Sequence, residues 1–352
     1  MKDATIVNRH SRPGLSSVRP HAVPAVQLHE CGPDGDAALQ LDLYRKMYLI
    51  RAAELLIQKH YPEDEMKTPM HMSMGEEAIV VGICHALKPD DQVLGTYRSH
   101  GVYLAKTGET DRFFAEMYGR ASGCSGGKAG SMHLFAPQAG LICTSAIVAS
   151  HIPVAVGAAF ANKVAGNGRV VAAFFGDGAI DEGAFWESLN MACLRKLPVL
   201  FVCQDNGFAV HTPAAERHGY RDIAAIVGQY DCTVFASDST DVHALHGLAQ
   251  DALRAMRKDE RPCFLHLKYY RYLEHVGVFE DFNAGYRPRG EFEAWQSVDP
   301  LRLQRTRLAS MILEEQIRDA EARIERQVQR SLEKAREAPF PEVSALCGGV
   351  FA

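Results

Sequence analysis

The feature that most restricts the fold of this chain is a series of short, unbroken apolar runs separated by helical patterns. Arg169–Phe175, Pro198–Cys203, Thr233–Ala236 and Cys263–Tyr269 are of strand length, and Ala184–Leu194 and Asp241–Met256 between them have helical character. Continuous apolar strands alternating with helices call for a parallel sheet covered on both faces, since such strands leave no polar side for water. Two of these strands end in glycine-flanked acidic turns: Gly176-Asp177-Gly178 after the first and Asp205-Asn206-Gly207 after the second. Ligands of such sheets bind beyond the carboxyl ends of the strands, so both turns fall where a site belongs. One strand–helix–strand unit separates them, which brings neighbouring strand ends together. A carboxylate and an amide carbonyl make a hard-oxygen pair suited to Mg2+, whose shell is commonly completed by water and substrate phosphate. Gly176 and Gly178 allow close backbone approach to a phosphate, and the helix start that follows favours negative charge.

Upstream, the spacing of Leu39, Leu43, Met47, Ile50, Leu55 and Ile57 predicts a helix from Asp36 to Tyr61. A methionine-rich loop, Met66–Gly75, enters a helix over Glu76–Leu87, and Gln92–Leu94 is a short strand before the polar Tyr97-Arg98-Ser99-His100. A helix around Asp111–Tyr118 gives way to the glycine-rich Gly123–Gly130, and residues 145–150 read as an apolar loop. Near the end, Ile317, Ala320, Ile324, Val328 and Leu332 form one stripe of an amphipathic helix at 305–337, suited to packing on its own domain or on a partner. The expected organisation is one α/β domain over 37–340, a mobile proline-punctuated arm at 1–36 and a tail at 341–352. With 38 basic against 43 acidic residues and a net charge of −5, the chain lacks the basic balance of a nucleic-acid binder. Its apolar stretches fall far short of the ~20 residues of a membrane span, and the N-terminus has no apolar core of a secretory signal. Nine scattered cysteines without a C-x-x-C pair suggest neither a disulfide framework nor a zinc site. A reducing, cytoplasmic setting is therefore expected.

Gly176-Asp-Gly followed by Asp205-Asn-Gly resembles the thiamine-diphosphate fold motif. The wider pattern resembles alpha subunits of the thiamine-dependent dehydrogenase component of 2-oxo acid dehydrogenase complexes, including the acetoin dehydrogenases. It is carried by Leu43-Tyr-Arg-Lys-Met, His71-Met-Ser-Met-Gly-Glu-Glu-Ala78, Thr96-Tyr-Arg-Ser-His-Gly101, Gly126-Gly-Lys-Ala-Gly-Ser-Met-His133, Lys196-Leu-Pro-Val199 and Tyr270-Arg-Tyr…His275. The resemblance implies a thiamine-diphosphate-binding α/β fold with Mg2+ held by Asp177, Asn206 and the backbone carbonyl of Phe208. Gly176, Gly178 and Ala179 would border the cofactor, and Tyr97, Arg98, Arg271 and His275 would hold its diphosphate, the arginines as planar forks. Ala146, Ile147 and Val148 match a loop that meets the aminopyrimidine. His100 and His275 are the implied catalytic histidines, His100 facing the substrate side of the thiazolium, with His71, His133, His151 and His211 as lesser pocket candidates. In this family the glutamate at the aminopyrimidine comes from a separate beta subunit, which implies two alpha and two beta chains. A lipoyl-bearing acyltransferase is the implied acyl acceptor.

This chain departs from the family pattern at several places. Asp205 stands where asparagine is usual, Gln204 where glutamate is common, Glu76 where glutamine is frequent, and His211 where a small residue is usual. A carboxylate at 205 is expected to weaken a neighbouring diphosphate unless a cation offsets it. Val276-Gly277-Val278 replaces the segment that carries a regulatory serine in mitochondrial pyruvate dehydrogenase alpha subunits, so that phosphorylation control is not expected. The altered Leu273–Val278 run leaves the substrate open between a 2-oxo acid and acetoin. The leading reading is the oxidoreductase alpha subunit. A thiamine-dependent carboligase or decarboxylase without lipoyl transfer is the alternative. A non-catalytic paralogue would be marked by loss of a metal ligand or phosphate arginine, yet Asp177, Asn206, Arg98 and Arg271 are all present.

Overall fold

Residues 170–175 show why the sheet is covered twice. Val171, Ala173 and Phe175 join one apolar cluster and Val170, Ala172 and Phe174 the other, and all six are buried, as strand geometry sends alternate side chains to opposite faces. The structure, a computed structural model, describes residues 36–348. The expected arm, apart from Asp36, and the end of the tail lie outside the described residues. In chain order the elements are α1 (Ala37–His60), α2 (Glu77–Ala86), β1 (Gln92–Thr96), α3 (His100–Thr107), α4 (Thr110–Met117), β2 (Leu141–Ser145), α5 (His151–Ala165), β3 (Val171–Gly176) and α6 (Gly183–Leu194). They continue with β4 (Val199–Asp205), the two-residue strands β5 (Phe208–Ala209) and β6 (Thr212–Pro213), α7 (Ala214–Arg217), α8 (Ile223–Val227), β7 (Thr233–Ser237), α9 (Val242–Asp259), β8 (Cys263–Lys268), α10 (Arg289–Gln296), α11 (Pro300–Ala309) and α12 (Glu314–Glu337).

Six strands form one parallel sheet in the order β2-β1-β3-β4-β8-β7. From β1 the chain adds β2 on one side, and from β3 it adds β4 on the other, so the winding reverses between β1 and β3. That reversal opens a crevice at the carboxyl ends of the strands. Registry aligns those ends: Gly176 pairs with Gln204, and Asp205 with Lys268. On one face Ile152, Ala155 and Ala159 of α5, Phe185 and Leu189 of α6, and Val227 of α8 cover the sheet. On the other face α9 lies on the sheet, α2 packs on α9, α1 and α3 pack on α2, and α12 packs against α1 and α4.

Helix ends follow local chemistry. Asp36 accepts from the amides of Ala38 and Leu39 at 3.0 Å and starts α1, and Asp241 accepts from the His243 amide at 3.0 Å to start α9. Leu55, counted by its spacing with the apolar face of α1, is 51% exposed. The helix expected at 305–337 is two helices, broken at 310–313. Ile312 turns into a small cluster with Tyr44, Leu308 and Ile317, and Gln316 accepts from the Leu313 amide to restart the helix. The stripe Ile317–Leu332 is buried against α1 and α4, so it belongs to this domain's own core. β2, not foreseen from sequence, is an edge strand whose Ile142 and Cys143 are half-buried. Among the described residues no helix is long and apolar enough to cross a membrane.

A different solution closes the glycine-rich segment 123–130. The buried carboxylate of Glu116 on α4 accepts four backbone amides: Ser125 at 2.8 Å and Gly127 at 3.0 Å on Oε2, Ala129 at 2.8 Å and Gly130 at 3.1 Å on Oε1.

Candidate active site

The crevice holds a cavity of about 280 Å3. Thr96, Tyr97 and Arg98 enter it from the end of β1, and Ser145, Ile147, Val148, Ala149 and His151 from the turn between β2 and α5. Gly176, Asp177, Gly178, Ala179, Asp181 and Glu182 come from the end of β3, and Gln204, Asn206, Phe208, Ala209 and Val210 from the end of β4. Glu76, Tyr269 and His275 complete the wall.

The wall that carries His275 is built by two segments distant in sequence. The Tyr272 amide donates to the Met74 carbonyl at 3.2 Å and the Gly277 amide to the Met70 carbonyl at 2.8 Å. Gly75 permits this contact: its φ is +103°, and a Cβ there would lie 2.0 Å from the Tyr270 carbonyl oxygen. Arg98, buried beneath, donates to the Met72 carbonyl at 2.6 Å and the His275 carbonyl at 3.4 Å, tying both segments to β1. The rings of His71, Tyr97 and His275 meet at centroid distances of 4.5 to 5.5 Å. Burial, reinforced by the Arg98 charge, lowers both His71 and His275 to about 3, so both rings are neutral at pH 7. His151 is lowered to about 4 by burial, and its Nε2 lies 2.8 Å from the Phe174 carbonyl.

Asp177 is 2% exposed. Its Oδ2 is held by Arg217, which also binds Asp181, while its Oδ1 is buried without a hydrogen bond. Burial, with the Asp205 charge behind it, holds this carboxyl above the usual carboxylate range, against the opposing pull of Arg217. Such a group calls for a second cation, and its orphaned oxygen, the nearby Asn206 amide and the strand-end carbonyls fit a hard divalent ion. The Asn206 Oδ1 accepts from the Phe208 amide at 3.1 Å and its Nδ2 donates to the Tyr269 hydroxyl at 3.0 Å, which fixes the side chain. Asp205 is turned away: it accepts from the Gly207 amide at 2.8 Å, lies 2.7 Å from His266 Nε2, and lines a second cavity behind the first. The carboxylate that departs from the family pattern therefore does not line the first cavity.

His100, Arg271 and Ala146, implied as site members, do not line the cavity, and neither does the lesser candidate His71, which packs on Tyr97 and His275 from behind. Tyr97 and Arg98 leave β1 toward it, but His100 begins α3 and turns into the core. His100 is fully buried, with Nδ1 2.9 Å from Glu54 Oε1 and Nε2 2.7 Å from Ser131 Oγ, so it supports structure behind the cavity and is not placed to touch a substrate. Arg271 lies behind His275, donating to the Leu273 carbonyl and the Tyr286 hydroxyl, and Ala146 leaves the lining to its neighbours Ser145 and Ile147. His133 and His211 are exposed and outside the lining. Tyr269, Asp181 and Glu182 line the cavity without having been singled out. The strand-end rule reaches Tyr269, which follows β8 beside β4, and the two acids lie a few residues past Gly178.

Near the cavity the surface is apolar. Ile147, Val148 and Val210 are exposed at its mouth, and Val154, Phe160 and Val164 on α5 with Met191 and Leu194 on α6 extend the exposed apolar surface, of the kind that marks protein interfaces.

Known proteins are similar to this chain in sequence along nearly its whole length. The alpha subunit of the pyruvate dehydrogenase E1 component of Rhizobium meliloti (strain 1021) is 33% identical over 337 residues, 94% of this chain and 96% of that one. The alpha subunit of the acetoin:2,6-dichlorophenolindophenol oxidoreductase of Cupriavidus necator is 33% identical over 327 residues, 90% and 96% of the two chains. The alpha subunit of the pyruvate dehydrogenase E1 component of Zymomonas mobilis is 33% identical over 336 residues, 92% and 94% of the two chains. Residues 45–344 match the dehydrogenase E1 component family, and the chain, an oxidoreductase component with a six-stranded parallel α/β fold, belongs to that family.

Proposed function

We propose that the cavity binds thiamine diphosphate with Mg2+ and that the chain acts as the alpha subunit of a 2-oxo acid or acetoin dehydrogenase. The observation that carries this reading is the buried Asp177 carboxyl, whose Oδ1 has no partner, in one cavity with Asn206, Arg98 and His275. Asp177, Asn206 and the Phe208 carbonyl would hold the cation, and Tyr97, Arg98 and His275 the diphosphate, with Arg271 adding positive potential from behind. Gly176 has only the Gln204 carbonyl near its vacant Cβ position, at 3.9 Å, leaving room for a phosphate against the backbone beside Gly178 and Ala179. Ile147 and Val148, with Ala146 between Ser145 and them, would meet the aminopyrimidine. When bound, thiamine diphosphate supplies the nucleophile and electron sink for cleavage next to a carbonyl. The chain's own part is to orient the cofactor, to exclude water and to hold His275, with His71 packed against it, as neutral imidazoles that can give or accept a hydrogen bond at the cavity wall. His100 would act as a positioning residue through Ser131.

The exposed apolar surface around Ile147 and α5 supports a beta-type partner that closes the cavity and supplies the glutamate, giving two alpha and two beta chains. A lipoyl-bearing acyltransferase would take the acyl group, and the bacterial relatives support a cytoplasmic setting. The relatives named above are dehydrogenase subunits, which gives the carboligase alternative no support. The test is to purify the chain with its beta subunit and follow dye reduction with a panel of 2-oxo acids and acetoin, with and without thiamine diphosphate and Mg2+. Cofactor-dependent oxidation of one substrate is expected. No cofactor-dependent oxidation across the panel, or unchanged cofactor retention in Asp177→Ala, refutes the reading.

A further inference from the structure

Two departures of this chain from its family pattern are in contact. Glu76 is fully buried at the start of α2, Gln204 is buried near the end of β4, and the Gln204 Nε2 donates to Glu76 Oε2 at 3.1 Å. The other carboxyl oxygen, Oε1, is buried without a hydrogen bond, and both residues line the cavity. Family members commonly carry glutamine at the first position and glutamate at the second. This chain has the same amide–carboxyl pair with its members exchanged across the cavity wall, which places the carboxyl on the α2 side of the site and the amide on the strand side.

We propose, resting on the thiamine-diphosphate reading above, that Glu76 is a ligand-contacting residue whose neutral carboxyl, oriented by Gln204, donates a hydrogen bond to the diphosphate-bearing cofactor in place of a glutamine amide. A carboxylic acid and a carboxamide are nearly the same shape, and each offers one donor beside one acceptor. With Gln204 donating to Oε2, the acid proton belongs on Oε1, the oxygen left without a partner. A carboxylate there would instead repel a phosphate. Charge around Glu76 supports the neutral form. Burial is the largest influence and, with Glu54 of α1 and the adjacent Glu77, raises Glu76 to about 8, while Arg98 beyond β1 and the nearby Ser73 side chain pull the other way. Tyr97 and Tyr269, the remaining titratable groups that feel Glu76, are themselves raised by burial and stay protonated.

The exchange makes a test with separable outcomes. Thiamine diphosphate with MgCl2 is titrated calorimetrically into the full-length chain purified with its beta subunit, as wild type, Glu76→Gln, Gln204→Glu and the double variant, from pH 6.5 to 9. Wild-type affinity should be flat to about pH 7 and then fall toward about tenfold per pH unit as Glu76 ionises, whereas Glu76→Gln, which keeps a donor and cannot ionise, should stay flat. At pH 8 Gln204→Glu, which sets two carboxyls against each other, should lose about tenfold or more, and the double variant should return to within about threefold of wild type. Parallel pH profiles for wild type and Glu76→Gln, or additive effects of the two substitutions, overturn the inference while leaving cofactor binding intact. Absence of thiamine diphosphate binding to the wild-type complex at every pH overturns the underlying reading and the inference with it.

Discussion

Glu116→Gln is the substitution for which the structure gives the clearest magnitude. The carboxylate is 1% exposed and accepts four backbone amides of the 123–130 segment, two on each oxygen, at 2.8 to 3.1 Å. Glutamine has nearly the same volume but only one acceptor oxygen, so its NH2 faces two amides that can only donate. Hydrogen bonds to a charged group contribute about 1.5–3 kcal/mol each, and losing two of them costs about 3–6 kcal/mol. At roughly 2 °C per kcal/mol for a chain of this size, the midpoint of thermal unfolding should fall by about 6–12 °C. Glu315→Gln, an exposed residue on α12 with the same change in charge, should stay within about 0.5 kcal/mol of wild type. Differential scanning calorimetry of both variants decides the matter. A Glu116→Gln shift below about 2 °C would refute the idea that the carboxylate organises the segment. The loss should spread, because Ser131 follows directly and joins His100 at 2.7 Å and Thr68 at 2.9 Å; slower proteolysis of 123–135 in the variant than in wild type would count against that link.

Three further perturbations bear on other parts of the fold. His151 has an unfolded value near 6.5 and is held at about 4 by burial; a lowered histidine stabilises above its unfolded value and loses that stabilisation as pH falls, so about 3 kcal/mol should disappear between pH 6.5 and 4. Urea unfolding of His151→Gln should show a shallower acid limb by about that amount. Asp241→Asn breaks the buried ion pair with Arg307, one contact of which is 2.8 Å, while keeping an acceptor for the α9 cap, so stability by denaturant titration should drop by about 3–5 kcal/mol. Phe160→Asp, on the exposed face of α5 at 44% exposure, should leave the chain's own unfolding midpoint nearly unchanged but prevent co-elution with the beta subunit on gel filtration.

How much of this was legible in the sequence follows from burial. β3, β4 and β8 are covered on both faces and announce themselves as unbroken apolar runs, whereas β2 lies at the sheet edge with Ile142 and Cys143 half-buried and leaves no such run. The break between α11 and α12 contains neither proline nor glycine, since it is set by Ile312 entering a tertiary cluster. In the site, Asp177, Asn206, Tyr97 and Arg98 were readable from motifs that follow strands. His100 was not, because the motif crosses from the end of β1 into α3 and the change of element reverses where the side chain points. Nor was the contact between Glu76 and Gln204, which are 128 positions apart and joined only by the folded sheet.

The pairing of the Met70–Met74 segment with residues 272–277 sets a timetable for synthesis. Met66, Met70, Met72 and Met74 are all buried in the finished chain, and Met70 and Met74 are covered by backbone that leaves the ribosome roughly 200 residues later. At about 5–20 residues per second, that apolar loop waits about 10–40 s for its lid. During that interval the nascent chain carries an uncovered methionine-rich strip, a natural handhold for chaperones and a starting point for aggregation. Chains truncated before residue 270 should keep it exposed permanently.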